Sequence, residues 1–266
     1  MTALTDGYFA TRDIVQLGRM LRAGEVTSAR LVEHSLTTIA ETNPALNALA
    51  GVDADGARLA ARLADAELSE GADRGPLHGL PVAVKDLVDI AGQATTCGSA
   101  TSFGAVAAED AEVVKRLRES GAVIIGKATL HEFAYGATGD RSVHGASRNP
   151  ADPGRMSGGS SGGSAVAVAA GMVPLAIGTD TAGSVRVPAA LCGIVGLKPA
   201  FDVISSKGVY PLAPSLDHVG LFATTVTGAR AGYEALTGLP VDEPEPPLAF
   251  GWLPPAELAV TDPRIE

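Results

Sequence analysis

Three places in this sequence carry residue types suited to covalent chemistry. Two are short stretches rich in glycine and serine, SGGSSGGSAVAVAAG (157–171) and GTDTAGSVRVP (178–188); the third is Lys85, inside the apolar run PVAVKDLVDI (81–90). Serine hydroxyls can attack a carbonyl or relay a proton, and small neighbours let the backbone approach a substrate closely. The second stretch follows the apolar run VPLAIGTD (173–180) directly. A strand that ends in a tight turn bearing a serine exposes that hydroxyl, and successive backbone N–H groups there can hold an oxyanion. A serine nucleophile also needs a base. His34, His78, His131, His144 and His218 are the histidines available, and none sits in a motif that marks a triad member. Lysine is the alternative, because burial disfavours the charged ammonium and brings the amine toward basic function near neutral pH. From composition alone, Lys85 has a simpler reading as an edge-strand lysine paired with Asp86 or Asp89.

Other readings of the first stretch fit less well. A Gly/Ser linker should be long and join two independent units, whereas this one runs straight into an apolar helix. A phosphate-binding loop wants Gly-Lys-Ser/Thr, but Gly163 is followed by Ser164 and Ala165. A dinucleotide-binding turn should follow a strand, and RNPADPGRM (148–156) precedes this one.

The elements that must position these residues follow from periodicity. Thr11 is positioned to cap a helix carrying Ile14, Leu17 and Leu21 that ends at Gly24, and Ser28 opens a second with Leu31, Ser35, Leu36 and Ile39 on one face. Asp53 to Glu70 is rich in alanine and leucine and reads as a third helix, so residues 1–70 form an N-terminal helical layer. LPVAVKDLVDI (80–90) and AVIIGK (122–127) read as strands around a helix over 109–121 that Gly121 ends. A helix of small residues over 163–171 precedes the strand 173–180. This alternation predicts an α/β protein with a mixed, largely parallel sheet flanked by helices, its catalytic core at 71–239. After the proline-rich turn PVDEPEPP (240–247), LAFGWLP (248–254) reads as a strand, and Asp262-Pro263 announces a further helix.

Composition narrows the partners. With 46% hydrophobic and 19% charged residues the chain can build a core, and a net charge of −10 without a basic stripe argues against nucleic acid and acidic membranes. Cys97 and Cys192 lie far apart, which suits a reducing compartment. The N-terminus lacks a secretory pattern, and the longest apolar stretch, 165–178, is too short to span a bilayer and contains Pro174. A cytoplasmic protein acting on small molecules is expected.

Taken together, the segments resemble one family. GRMSGGSSGGSAVAVAAGMVPLAIGTDTAGSVRVPAALCGIVGLKP (154–199) is similar to the defining region of the amidase signature enzymes. GPLHGLPVAVKDLVDIAGQATTCGS (75–99) resembles their lysine segment, and GAVIIGKATLHEFAYGATG (121–139) and SLDHVGLFATTV (215–226) follow the same order. The resemblance implies the amidase signature fold, with residues 1–266 as one amidase domain whose C-terminal portion begins at 240 and is truncated. It implies hydrolysis of a carboxylic amide to carboxylate and ammonia, with no metal or cofactor, a small-molecule amide as substrate, and room for a homodimer. It places the nucleophile on Ser184, the serine with a cis peptide on Ser160 and the base on Lys85. Backbone N–H groups of Thr181, Ala182, Gly183 and Ser184 would form the oxyanion hole. Ser161 and Ser164 would support, and Asp180 and Arg186 would hold the turn, unless they are an ordinary surface ion pair.

Two departures bear on substrate. Thr181-Ala182-Gly183-Ser184 stands where many members have TGGS, as in relatives that hydrolyse ureides, and LKPAFDVIS (197–205) departs from the common LKPTxGxVS. The alternatives are therefore a ureide hydrolase of the allophanate type, a glutamine-hydrolysing amidotransferase subunit, or a truncated non-catalytic remnant. HEFAYG (131–136) is more like stand-alone amidases.

Overall fold

A computed structural model describes residues 4–101 and 106–241. The expected strand at 248–254 and the helix start at Asp262-Pro263 lie outside the described residues.

Helix α1 (Ile14–Arg22) buries Ile14, Leu17 and Leu21, the stripe expected from the sequence. Its cap is Asp13, not Thr11: the Asp13 carboxylate accepts the Gln16 amide at 2.8 Å, the geometry that satisfies one orphan donor of the first turn. Helix α2 (Ser28–Leu46) is capped by Thr27 and runs through Pro44 to Asn47, whose left-handed conformation ends it. Strand β1 (Leu49–Val52) follows, so the N-terminal 70 residues contribute to the sheet as well as to the helical layer. Helix α3 (Ala54–Ser69) starts at the Asp53 cap.

Strand β2 (Pro81–Lys85) is shorter than the apolar run that contains it. The amides of Leu87 and Val88 both donate to the Lys85 carbonyl, at 2.8 and 3.0 Å, so the chain turns at Lys85 while Leu87, Val88 and Ile90 stay buried. Apolarity continues past the strand because the loop is buried too. Helix α4 (Glu112–Glu119), strand β3 (Val123–Ala128), helix α5 (Gly162–Ala169) and strand β4 (Leu175–Asp180) fall where expected, α4 three residues shorter at its start and two at its end, α5 starting one residue earlier and ending two sooner. Helix α6 (Arg186–Cys192), strands β5 (Val195–Leu197) and β6 (His218–Ala223), and helix α7 (Val226–Thr237) complete the described elements.

The six strands form one mixed sheet in the order β1-β3-β2-β4-β6-β5. β2 pairs in parallel with β3 and β4 at the centre; β1 on β3, β6 on β4 and β5 on β6 are antiparallel. β3, β2, β4 and β5 therefore run one way, and β1 and β6 the other. Helices cover both faces. Val82, Val84, Leu175 and Ile177 pack with α1, α4 and α7, while Ala83, Ile125, Ala176 and Phe222 pack with α2, α3 and α5. Among the described residues, no helix is long and apolar enough to cross a membrane.

Candidate active site

The Gly/Ser stretches and Lys85 meet at the C-terminal ends of the parallel strands β2 and β4, where open α/β sheets place their ligand crevices. Lys85 ends β2 at the sheet centre and is fully buried, so it is no edge-strand lysine. Its Nζ donates to Ser160 Oγ at 2.8 Å and to Thr179 Oγ1 at 2.8 Å. Asp86 pairs instead with Lys127, at 3.3 Å, and Asp89 accepts from the Thr95 hydroxyl at 2.7 Å. Burial among neutral hydroxyls pushes the Lys85 amine down to about 7, against the pull of the more distant Asp180 and Asp217 carboxylates.

Ser160 precedes α5, and the Gly159–Ser160 peptide is cis. Its carbonyl accepts the His131 amide at 3.0 Å. The glycines around it are demanded by packing: a Cβ on Gly163 would lie 2.3 Å from the Ala48 carbonyl oxygen and 2.4 Å from that of Thr129. Ser161 and Ser164 tie the start of α5 to β4. The Ser161 hydroxyl donates to the Thr179 carbonyl at 3.1 Å and accepts the Thr179 amide at 3.2 Å, and Ser164 donates to the Ile177 carbonyl at 2.8 Å.

Ser184 is half-buried on the turn between β4 and α6, and its carbonyl accepts the Ser161 amide at 3.2 Å, bringing the two serine turns together. Asp180 builds that turn from below. Fully buried, it takes both ends of the Arg186 guanidinium at 2.9 and 3.0 Å, and the amides of Gly183, Val185 and Arg186 at 2.8, 3.1 and 3.3 Å. Burial alone would raise its carboxyl, but Arg186 and the three amides outweigh that and hold it at about 2. Asp180–Arg186 is thus a turn-building pair, although Arg186 reaches solvent.

This arrangement corrects one member of the expected oxyanion hole. The Gly183 amide is spent on Asp180 Oδ1, with Gly183 at φ +126°, a conformation that favours glycine. The amides of Thr181, Ala182 and Ser184 are not drawn inward in this way.

Two contributors escape the sequence pattern. Thr179 shares the Lys85 ammonium with Ser160. Asp217 accepts the Thr181 hydroxyl at 2.5 Å and the amides of Leu212 and Ala213, at 2.9 Å and 3.0 Å, fastening the loop before β6 to the serine turn. Both lie inside segments that carry the resemblance, but nothing in their spacing sets them apart. Among the described residues, no histidine side chain hydrogen-bonds to Lys85, Ser160 or Ser184, and no group of His, Cys, Asp or Glu could hold a metal ion.

With this geometry established, the comparisons are informative. The Amidase family model matches residues 30–249. The chain belongs to the amidase signature family. Among its relatives, a glutamyl-tRNA(Gln) amidotransferase subunit from Acidothermus cellulolyticus is 46% identical over 241 residues, 88% of this chain and 48% of that protein. The AtzE subunit of the 1-carboxybiuret hydrolase from Pseudomonas sp. (strain ADP) is 43% identical, over 84% of this chain and 49% of its own length. The native peptide amidase structure from Stenotrophomonas maltophilia superposes with a TM-score of 0.81 at 40% identity, covering 87% of this chain and 49% of that one. This amidase-family chain spans about half the length of the curated relatives it matches.

Proposed function

We propose that the chain carries the acyl-transfer half of an amide hydrolase, with Ser184 as nucleophile and Lys85 and Ser160 as its proton relay. Neutral Lys85 takes the Ser160 proton, Ser160 takes the Ser184 proton, and Ser184 Oγ attacks the amide carbonyl carbon. As the C–N bond breaks, the relay runs backward and Ser160 protonates the departing nitrogen, which leaves as ammonia from a primary amide. Water, deprotonated by the same relay, then cleaves the Ser184 ester to the carboxylate. Amides of Thr181, Ala182 and Ser184 receive the oxyanion. The observation that carries the reading is the buried 2.8 Å contact between Lys85 Nζ and Ser160 Oγ, made where burial brings the amine into its basic range.

The test is ammonia release from aliphatic, aromatic and ureide amides, with Ser184→Ala as the blank. Release lost in Ser184→Ala supports the proposal; a well-folded protein that neither turns over any amide nor forms an ester at Ser184 is the non-catalytic remnant. A second reading rests on similarity to an amidotransferase component. Ammonia released from glutamine only after partner subunits are added would favour it.

A further inference from the structure

Two carboxylates hold the serine turn, and only one of them lies on its own strand. Asp180 holds the far side, through the amides of Gly183, Val185 and Arg186. The near side is held from across the sheet. β4 and β6 pair antiparallel with Thr179 opposite Val219 and Asp180 opposite His218, so one step further along Thr181 faces Asp217. The Thr181 hydroxyl donates to Asp217 Oδ1 at 2.5 Å, the short range of an O–H bond to a charged oxygen. The other oxygen, Oδ2, accepts the amides of Leu212 and Ala213 at 2.9 and 3.0 Å, so the carboxylate that fixes Thr181 is itself fixed. His218 adds a tie at the same level. Its Nδ1 lies 3.2 Å from the Asp180 carbonyl oxygen and 2.6 Å from that of Leu216, and because both are acceptors this nitrogen carries the proton.

The two carboxylates differ in what they take from the turn. Asp180 binds the Gly183 amide itself, whereas the Asp217 bond runs through the Thr181 side chain and fixes that residue without occupying its amide. We infer that Asp217 is a positioning residue for acylation: acting through the Thr181 hydroxyl, it aims the Thr181 and Ala182 amides at the oxyanion, a role that rests on Ser184 being the nucleophile. Donors held in place beforehand stabilise developing charge without having to reorganise as the reaction proceeds.

The probe is a fluorophosphonate, whose phosphoryl oxygen takes the oxyanion position as the serine displaces fluoride. Its maximal labelling rate reports acylation and its half-saturating concentration reports binding. Thr181→Val keeps the side-chain shape and removes the hydroxyl. The maximal rate should fall by about 10- to 100-fold, the worth of one charge-assisted hydrogen bond, with half-saturation unchanged. Thr181→Ser returns a hydroxyl and should recover most of that loss. Asp217→Asn exchanges one acceptor oxygen for a donor, so it cannot serve Thr181 and the two amides together, and it should slow labelling too. The double variant should be no slower than the slower single variant, since both break one contact. A cooperative melt verifies that each variant is folded. Thr181→Val labelling at the parental rate, a change confined to half-saturation, or losses that multiply in the double variant would overturn the inference. A parent chain that never forms the Ser184 adduct would remove Ser184 as nucleophile and this role with it, an outcome distinct from any difference between variants.

Discussion

Two buried lysines on neighbouring strands meet opposite fates. Lys85 ends β2 and Lys127 lies near the end of β3, with Val84 opposite Lys127 and Lys85 opposite Ala128. Paired residues share a face, so the two lysines project from opposite sides of the sheet. Lys85 meets only hydroxyls, those of Ser160 and Thr179. Lys127 meets the Asp86 carboxylate at 3.3 Å, the Val88 carbonyl at 2.6 Å and the Thr95 hydroxyl at 3.2 Å. Burial lowers both amines, but for Lys127 a contacting carboxylate pulls back toward the charged form. In the proposed mechanism the lysine whose partners are neutral oxygens, Lys85, is the base, while Lys127, touched by a carboxylate, holds the structure.

Breaking each lysine should therefore fail differently. Lys85→Ala should slow fluorophosphonate labelling of Ser184 by about 10²–10⁴-fold, the usual worth of a general base, while the protein still melts cooperatively. Lys127→Met should do the reverse, lowering unfolding free energy in urea by about 3–5 kcal/mol because the buried Asp86 carboxylate loses its cationic partner and keeps only the Thr96 hydroxyl and amide as donors, with the folded fraction labelling at a near-native rate. If Lys127→Met abolished labelling in well-folded protein, the division of roles would be wrong. Thr179→Val sharpens the comparison by removing one hydroxyl from Lys85. The loss of one hydrogen bond should slow labelling by up to about tenfold with the melt little changed.

A smaller effect follows from linkage. An unfolded lysine keeps its proton up to an ordinary value of 10.5, whereas folded Lys85 releases it at about 7. Between these values the unfolded chain binds more protons, so the Lys85 contribution to stability rises with pH through that window and is flat below it. Thermal melts of Lys85→Met against the parent should show the parent gaining on the variant from about pH 7 to pH 10. A constant gap would mean that Lys85 keeps an ordinary proton affinity when folded.

Much of the site is legible in the sequence because its residues sit in long, ordered segments. Ser160, Ser161, Ser184, Asp180, Arg186 and Lys85 can all be named from it, and hydrogen bonds join Lys85 to Ser160, Ser161 to Ser184 and Arg186 to Asp180. What stays hidden is three-dimensional pairing. A β-bulge shifts the register between Val82 and Ala83 of β2 against β3, and it is this shift that sets Lys127 opposite Val84 and beside Asp86. No one-dimensional period signals it. Short strands escape for a related reason: β1 has four residues and β5 three, too few for alternation to emerge. The Asp13 cap competes with Thr11 two residues earlier, and only the bond to Gln16 decides between them. Gly183 belongs in any reading of the serine turn as a loop of open amides, until the buried Asp180 carboxylate beneath it is seen.

The central claim is that Lys85 activates the serines as a neutral base, and the pH dependence of Ser184 labelling tests it most directly. The rate should rise with pH through a single inflection near 7, and Lys85→Ala should remove that inflection. A rate that is flat across the same range, or an inflection that persists without Lys85, would contradict the account.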